Sequence, residues 1–241
     1  MGTFDQAEYE IRCEWGPAGV EQLAPISDVV VIVDVLSFTT CVDIAVGRGA
    51  TVFPCLWKDE RAKELAEQHN AVLASRRGEG DFSLSPASLA TIPQDMRLVL
   101  PSPNGSTLSM ATGAVPTFAG CLRNASAVAV AAAAVGSRIA VIAAGERWQD
   151  GEGSLRPAIE DWLGAGAILA QLPGRFSPEA QLAADSFKGA LPTLGARVLG
   201  ASSGKELAQR GFVEDVVLAT QWNTSNCAPR LVDGAYVDGR V

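Results

Sequence analysis

The chain has 241 residues, of which 48% are hydrophobic and 19% charged, a composition that excludes a disordered chain and allows a sizeable core. Its formal net charge of −8 leaves no basic footprint for binding nucleic acid. An N-terminus without an apolar signal segment, no apolar run long enough to span a bilayer and five scattered cysteines predict a reduced, cytoplasmic protein without a membrane partner.

Strands and helices are predicted to alternate along the chain. An opening strand is expected around 8–14 and a loop at 16–19. The clearest strand is Val29–Val33, since an unbroken β-branched run is typical of a parallel strand covered on both faces. The later elements are a helix over 41–50, a strand over 51–55, a helix over 58–70, a short strand from 71, strand–turn–helix units over 97–113, 115–136 and 138–172 (the last with a longer loop), a mainly helical stretch over 178–209, and closing elements over 211–223 and 228–239.

This alternation predicts an α/β fold with a mostly parallel sheet and helices on both faces, in three layers, α/β/α. No linker divides the chain, so a single domain over 1–241 is expected.

In α/β folds of this kind, ligands bind beyond the carboxyl ends of the strands. Polar residues collect at these ends: Asp34, Ser37, Thr39 and Thr40, then Ser102, Asn104, Ser106 and Thr107, then Asn124 and Ser126, and finally Glu146. If the strands are parallel, these turns converge on one edge and form a site.

Asp34 directly follows the buried strand. It could cap a helix or pair with a basic residue, or it could bind a metal or act as a nucleophile, since carboxylates bind Mg²⁺ and form acyl-phosphates. One histidine and dispersed cysteines argue against zinc. Any bound metal is therefore expected to be a hard cation, Mg²⁺.

Two other segments are candidates for anion binding. The turn PSPNGST (101–107) precedes a helix, and Gly105 would let a ligand approach the free backbone N–H groups. The alternative is that Asn104 or Ser106 only caps that helix. In SRRGEGD, Arg77 could clamp a phosphate or carboxylate, although solvated loop arginines are common.

The blocks VVIVDVLSFTT, PSPNGST, CLRNASAVA, AAGERWQDG…LRPAIEDWLGAGAI and GKELAQRGFVEDV, in this order, resemble the 2-phosphosulfolactate phosphatase (ComB-like) family. The resemblance covers the chain from about Val29 onwards. It implies a three-layer α/β/α fold and a Mg²⁺-dependent phosphatase. The implied reaction hydrolyses (R)-2-phospho-3-sulfolactate to 3-sulfolactate and phosphate, in coenzyme M biosynthesis.

The resemblance also implies roles for individual residues. Those implied to be catalytic are Asp34, Asn104, Asn124 and Glu160. Those implied to bind substrate are Thr39, Thr40, Arg77, Gly105, Ser106, Thr107 and Gly145. Ser37 is also predicted to bind substrate, from its place among the hydroxyls at the end of the strand. Asp34 and Asp161 would hold Mg²⁺, with Glu160 as an alternative ligand. The N–H groups of Gly105 and Ser106, with Asn104 and Asn124, would hold the phosphoryl oxygens, and Arg77 would bind the carboxylate or sulfonate end.

The chain departs from the family motif at two adjacent positions. Ser37 and Phe38 stand where the family motif has arginine and alanine, which removes one positive charge from a site for an anionic substrate.

The main hypothesis for the function is a phosphatase for a small 2-phospho-hydroxy acid. The alternatives are a catalytically silent anion-binding protein on the same fold and a phosphoryl transferase. The sequence leaves the oligomeric state open, with a homodimer as one option.

Overall fold

The computed structural model describes residues 2, 4–56, 59–148 and 153–239. The strands are β1 (Ile11–Trp15), β2 (Val29–Val33), β3 (Thr51–Cys55), β4 (Val72–Leu73), β5 (Arg97–Pro101), β6 (Thr117–Gly120), β7 (Ile139–Ala143), β8 (Glu146–Arg147), β9 (Leu155–Arg156), β10 (Pro229–Val232) and β11 (Ala235–Asp238). The α-helices are α1 (Gly16–Leu23), α2 (Phe38–Gly47), α3 (Glu60–Gln68), α4 (Pro86–Leu89), α5 (Gly105–Ala111), α6 (Ala125–Val135), α7 (Ile159–Leu169), α8 (Pro178–Ala190), α9 (Leu194–Gly200), α10 (Ser202–Gln209) and α11 (Val213–Ala219).

The central sheet has the strand order β1-β7-β2-β6-β10-β11-β3-β5-β4. Neighbouring strands are parallel within each of the two groups that the β10–β11 hairpin separates, β1-β7-β2-β6 and β3-β5-β4. The pairs β6–β10, β10–β11 and β11–β3 are antiparallel. The prediction of a mixed α/β fold with a large, mostly parallel sheet flanked by helices is therefore confirmed. Three successive antiparallel pairs reverse the direction, so β3, β5 and β4 run opposite to β2, β6 and β7. The site was predicted to form where parallel strands end at one edge of the sheet, and β5 does not meet this condition because it is antiparallel to β2.

Helix α2 connects the two parts of the sheet. Its residues 38–46 are all buried. Its polar side chains, Thr39, Thr40 and Asp43, tolerate this burial because each has a hydrogen-bond or ion-pair partner. The helix contacts β3 and β11 on one side and β6 and β10 on the other, and it also contacts α5. The end of β2, which leads into α2, therefore lies beside the end of β5, which leads into α5.

Most predicted elements are present, with shifted ends. The predicted strands at 29–33 and 51–55 are confirmed, the helix over 41–50 begins earlier, at Phe38, and the helix over 58–70 covers Glu60–Gln68, with Lys58 outside the described residues. The loop expected at 16–19 is wrong, since α1 occupies it. The long loop after β7 contains the small β8–β9 pair, and its residues 149–152 lie outside the described part. No described helix has both the length and the hydropathy that crossing a membrane requires.

Candidate active site

Asp34 joins the turns that follow β2 and β5. Its side chain is buried at 4% exposure. Oδ1 accepts the backbone N–H of Phe38 at 3.2 Å, and Oδ2 accepts the backbone N–H of Gly105 at 2.8 Å. The hydroxyl of Ser102 lies 3.5 Å from Oδ2. The carboxylate is thus held in one orientation by donors from two separate parts of the sheet.

Thr39 and Thr40 support this turn with their hydroxyls. The Thr39 hydroxyl donates to the carbonyl of Asp34 at 2.8 Å and accepts the Asp34 N–H at 3.0 Å. The Thr40 hydroxyl donates to the carbonyl of Val35 at 2.7 Å. Both residues are fully buried. These contacts hold the backbone around Asp34 and leave no exposed hydroxyl for the direct substrate contact that the resemblance implied.

The turn before α5 is built around Gly105. A Cβ at this position would lie 2.3 Å from Cδ1 of Phe38 and 2.8 Å from Oδ2 of Asp34, so only glycine fits. The hydroxyl of Ser106 donates to the carbonyl of Leu100 at 3.0 Å, and that of Thr107 donates to the carbonyl of Pro103 at 2.8 Å. The Gly105 N–H, predicted to bind a phosphoryl oxygen, instead binds Asp34.

Asn104 and Glu146 face each other across the same region. Nδ2 of Asn104 donates to Oε2 of Glu146 at 2.9 Å. Glu146 was singled out in the sequence only as a polar strand-end residue and was not assigned a role. Its position three residues after the last residue of β7 and its contact with Asn104 place it at the site.

Asp161 and Glu160 bring the start of α7 to the site. Oδ1 of Asp161 accepts the N–H of Val35 at 2.7 Å, and Oδ2 accepts the N–H of Gly145 at 2.8 Å. Gly145 has φ +68°, and a Cβ there would lie 2.7 Å from Leu155. Glu160 is 2% exposed, and its Oε2 has no hydrogen-bond partner among the described residues. Asp161 therefore fixes the two turns, while Glu160 offers a buried oxygen that is not yet satisfied.

Asp34, Glu146, Glu160 and Asp161 form a cluster of interacting acids, here called the carboxyl cluster. Burial, reinforced by the charge of Glu160, raises the pKa of Asp34 to about 6, against the opposing effect of the two N–H donors. Burial and the charges of Asp34 and Glu160 raise the pKa of Glu146 to about 7. Burial and the charges of Asp34 and Glu160 also raise the pKa of Asp161 well above its usual range. An anionic substrate can approach this cluster only if a cation or protons neutralise it.

A cavity of about 630 Å³ extends from Asp34, Asn104 and Glu146 to Ser37 and Arg77, and is here called the site cavity. Nη2 of Arg77 donates to the hydroxyl of Ser37 at 2.8 Å. Nη1 of Arg77 forms an ion pair with Asp215 of α11. The cavity thus has an acidic end at Asp34 and a basic side at Arg77.

Asn124 does not join this arrangement. Its Oδ1 accepts the N–H of Cys121 at 2.8 Å, and its Nδ2 donates to the carbonyl of Ala119 at 3.2 Å. It is fully buried and is not among the residues that line the site cavity. The polar atoms of Asn124 close the turn after β6, so these contacts do not fit the implied catalytic role. The backbone N–H of Ser126, in the same block, donates to Oδ1 of Asn223 at 2.9 Å.

The carboxyl groups of the site are candidate ligands for Mg²⁺. Within the described ranges, no group of three or more His, Cys, Asp or Glu side chains is arranged to hold a metal on its own. Mg²⁺ does not require such a group, because it usually keeps several waters and binds one or two carboxylates together with substrate phosphates. The unsatisfied Glu160 oxygen near the buried Asp34 carboxylate is consistent with that mode of binding.

The fold is thus α/β with a mixed sheet, and its cavity, with carboxyl groups at one end and a fixed guanidinium at its side, suits a small anionic ligand. The chain belongs to the 2-phosphosulpholactate phosphatase family, which it matches over residues 17–234. It is therefore a phosphatase, and the resemblance seen in the sequence is confirmed.

Two relatives match over most of their length. The chain is 28% identical over 218 residues to the 2-phosphosulfolactate phosphatase of Methanothermobacter thermautotrophicus, covering 89% of each protein. It is 24% identical over 214 residues to a protein of Pseudothermotoga lettingae named probable 2-phosphosulfolactate phosphatase, covering 87% of this chain and 92% of the relative.

Proposed function

We propose that this protein is a Mg²⁺-dependent phosphatase that hydrolyses 2-phospho-3-sulfolactate, or a related small 2-phospho-hydroxy acid, to the hydroxy acid and phosphate. The names of the two relatives support the substrate class. The observation that carries the proposal is the carboxyl cluster beside the site cavity, with one buried oxygen of Glu160 left unsatisfied. A phosphate ester can bind next to such a cluster only if a cation or protons neutralise it, and a bound Mg²⁺ would supply that positive charge.

Asp34 and Glu160 are the residues that would hold Mg²⁺. Asp161 was also implied as a ligand. Each of its oxygens accepts one backbone N–H group, as each oxygen of Asp34 does, which leaves a lone pair on each for a cation. When bound, Mg²⁺ would neutralise the phosphate and stabilise the charge that develops on the phosphoryl oxygens. A cytoplasmic location, a homodimer and a place in coenzyme M biosynthesis stay predictions.

The side chains of this protein would orient the substrate around Asp34. The Phe38 and Gly105 N–H groups fix the Asp34 carboxylate before the substrate arrives, so no reorganisation is needed during the reaction. Asn104, held by Glu146, lies at the acidic end of the cavity, and Arg77 would bind the carboxylate or sulfonate end of the substrate. Either Asp34 attacks phosphorus or it holds the metal while water attacks. Rapid-quench trapping of an aspartyl-phosphate would show attack by Asp34.

The proposal is tested by phosphate release from 2-phospho-3-sulfolactate, phospholactate and phosphoglycolate, each with Mg²⁺ and with EDTA. The Asp34→Asn variant should lose activity by about a hundredfold or more, because the reacting carboxylate is removed. Asp28→Asn is the control, since Asp28 pairs with Arg138 at the surface. Binding without any phosphate release by the unmodified protein would contradict the proposal and favour the silent anion-binding protein.

A further inference from the structure

Asp215 is a buried acid of α11 that was given no role by the sequence. Its side chain is 1% exposed and accepts three donors. One is Nη1 of Arg77, which binds Oδ2. The others bind Oδ1: the hydroxyl of Ser85 at 2.6 Å and the backbone N–H of Ala87 at 3.0 Å. Asp215 thus fixes Arg77 to a rigid point between α4 and α11.

Arg77 is held from three directions at the wall of the site cavity. Besides Asp215, the hydroxyl of Ser37 accepts Nη2 at 2.8 Å. The ring of Phe212 lies beneath the guanidinium, with 5.3 Å from Cζ to the ring centroid. The two hydrogen bonds use two of the five N–H donors of a guanidinium. The side chain of Arg77 is 11% exposed, so a ligand can reach it only from the cavity side.

We propose that Asp215 is a positioning residue that makes Arg77 selective for substrates with a second anionic group besides the phosphate. The inference rests on the proposed function. An arginine already fixed in its binding geometry loses little further conformational freedom when it binds a ligand, so its hydrogen bonds contribute more to affinity. Because Asp215 also balances its charge, Arg77 recognises the ligand through directed hydrogen bonds rather than through excess positive charge.

The first test is the steady-state kinetics of Asp215→Asn with two substrates. For 2-phospho-3-sulfolactate, KM should rise roughly tenfold with little change in kcat, the size expected when a charge-assisted contact is loosened. For glycerol 2-phosphate, which has no second anionic group, both constants should stay unchanged. An equal change for both substrates, or a change in kcat alone, would overturn the proposal.

Asp43→Asn is the matched control. Asp43 is also a fully buried acid paired with an arginine, Arg123, and it also accepts a serine hydroxyl, from Ser225. This pair lies outside the site cavity. Asp43→Asn should lower the melting temperature as Asp215→Asn does, but it should leave the ratio of the two KM values unchanged. In an Arg77→Met background, Asp215→Asn should no longer alter that ratio.

A binding measurement separates this proposal from the proposed function. Titration calorimetry with 3-sulfolactate and Mg²⁺ needs no turnover. Asp215→Asn should weaken binding roughly tenfold, whereas Asp43→Asn should not. If the unmodified protein binds 3-sulfolactate but releases no phosphate from any substrate, the proposed function fails while this test still decides the role of Asp215.

A second variant covers the case in which Asp215→Asn does not fold. Ser37→Ala removes another contact of Arg77 and leaves the α4–α11 junction intact. It should raise the KM for 2-phospho-3-sulfolactate in the same direction by a smaller factor. If both variants fold and bind 3-sulfolactate with unchanged affinity, Asp215 only joins two helices. The same conclusion follows if Asp215→Asn does not fold and Ser37→Ala binds with unchanged affinity.

Discussion

At the scale of single residues, the site depends on how closely the backbone approaches Asp34. The carboxylate receives N–H groups from Phe38 and Gly105, and a Cβ at position 105 would lie only 2.8 Å from its Oδ2. Sequence reasoning placed Asp34 and Gly105 at the site because both follow strand ends. It could not tell that the glycine N–H points at the aspartate rather than at a ligand, because that depends on contacts between distant segments.

Gly105→Ala is expected to destabilise the protein and displace Asp34. The added Cβ would lie 2.3 Å from Phe38, and overpacking of this kind costs about 1–3 kcal/mol. Urea unfolding and phosphatase assays measure the two effects. Gly189→Ala in α8 is the control, since nothing lies within 4 Å of its added Cβ. The control should raise stability by roughly 0.5–1 kcal/mol through helix propensity. A fully stable and active Gly105→Ala variant would contradict the described turn.

The metal-free protein is expected to become less stable as the pH rises from about 4 to about 7. The pKa of Asp34 is raised from 3.8 to about 6, and that of Glu146 from 4.5 to about 7. The folded state therefore binds protons more strongly than the unfolded state, and this contribution to stability is lost as the pH passes through the folded pKa values.

Urea unfolding in EDTA across this pH range measures the effect. Glu146→Gln removes one of the raised groups and should flatten the upper part of the curve, between about pH 5 and pH 7. A stability that rises over the same range would show that these carboxyl groups ionise easily in the folded protein.

At the scale of elements, α2 is the part that positions the site. It is buried over residues 38–46 and contacts strands on both sides of the hairpin. Its one acidic residue, Asp43, is paired with Arg123 at 2.9 Å. The sequence predicted the helix from its apolar run and the glycines that follow it. It did not show that the helix is buried on all sides, because an apolar run alone does not tell whether one face of a helix or several faces pack against other elements.

Arg123→Met should destabilise the protein by about 3–5 kcal/mol, because it leaves Asp43 buried without its charge partner. Chemical unfolding followed by tryptophan fluorescence measures the change. Arg138→Met, which removes a surface ion pair with Asp28, is the matched control and should have little effect. Equal effects of the two variants would show that burial of the Asp43–Arg123 pair has no energetic consequence.

Other elements show where sequence patterns are insufficient. β2 was recognised because five β-branched residues without a break are typical of a strand covered on both faces. α1 was missed because GPAG reads as a loop, although proline is well accommodated in the first turn of a helix. Asp215 was missed because an acid in the first turn of a helix is usually explained by the helix dipole, and its partner Arg77 is far away in the chain.

At the scale of the whole molecule, Tyr236 of β11 connects the two parts of the sheet. Its ring packs edge-on against Phe38, with 6.1 Å between centroids, and its hydroxyl lies 2.7 Å from that of Ser109 in α5. The expectation of a single domain can be tested here. The sequence predicts a single domain because it contains no linker, and cooperative unfolding of the whole chain would establish that organisation.

We expect the unmodified protein to unfold in one calorimetric transition, and Tyr236→Ala to lower its stability by about 3–5 kcal/mol without dividing that transition. Tyr236→Phe, which keeps the ring, should cost only about 1 kcal/mol. Two separate transitions in either protein would mean that the parts on each side of the hairpin fold independently.

The β10–β11 hairpin lies between β6 and β3, yet it follows every other described strand in the chain. A ribosome therefore releases both flanking strands long before the residues that pair with them. Until residue 238 has emerged, the nascent protein carries two unpaired strand edges, which other chains can join. Translation that pauses before Pro229 should thus yield insoluble protein in proportion to the length of the pause, and a chaperone that covers strand edges should prevent it.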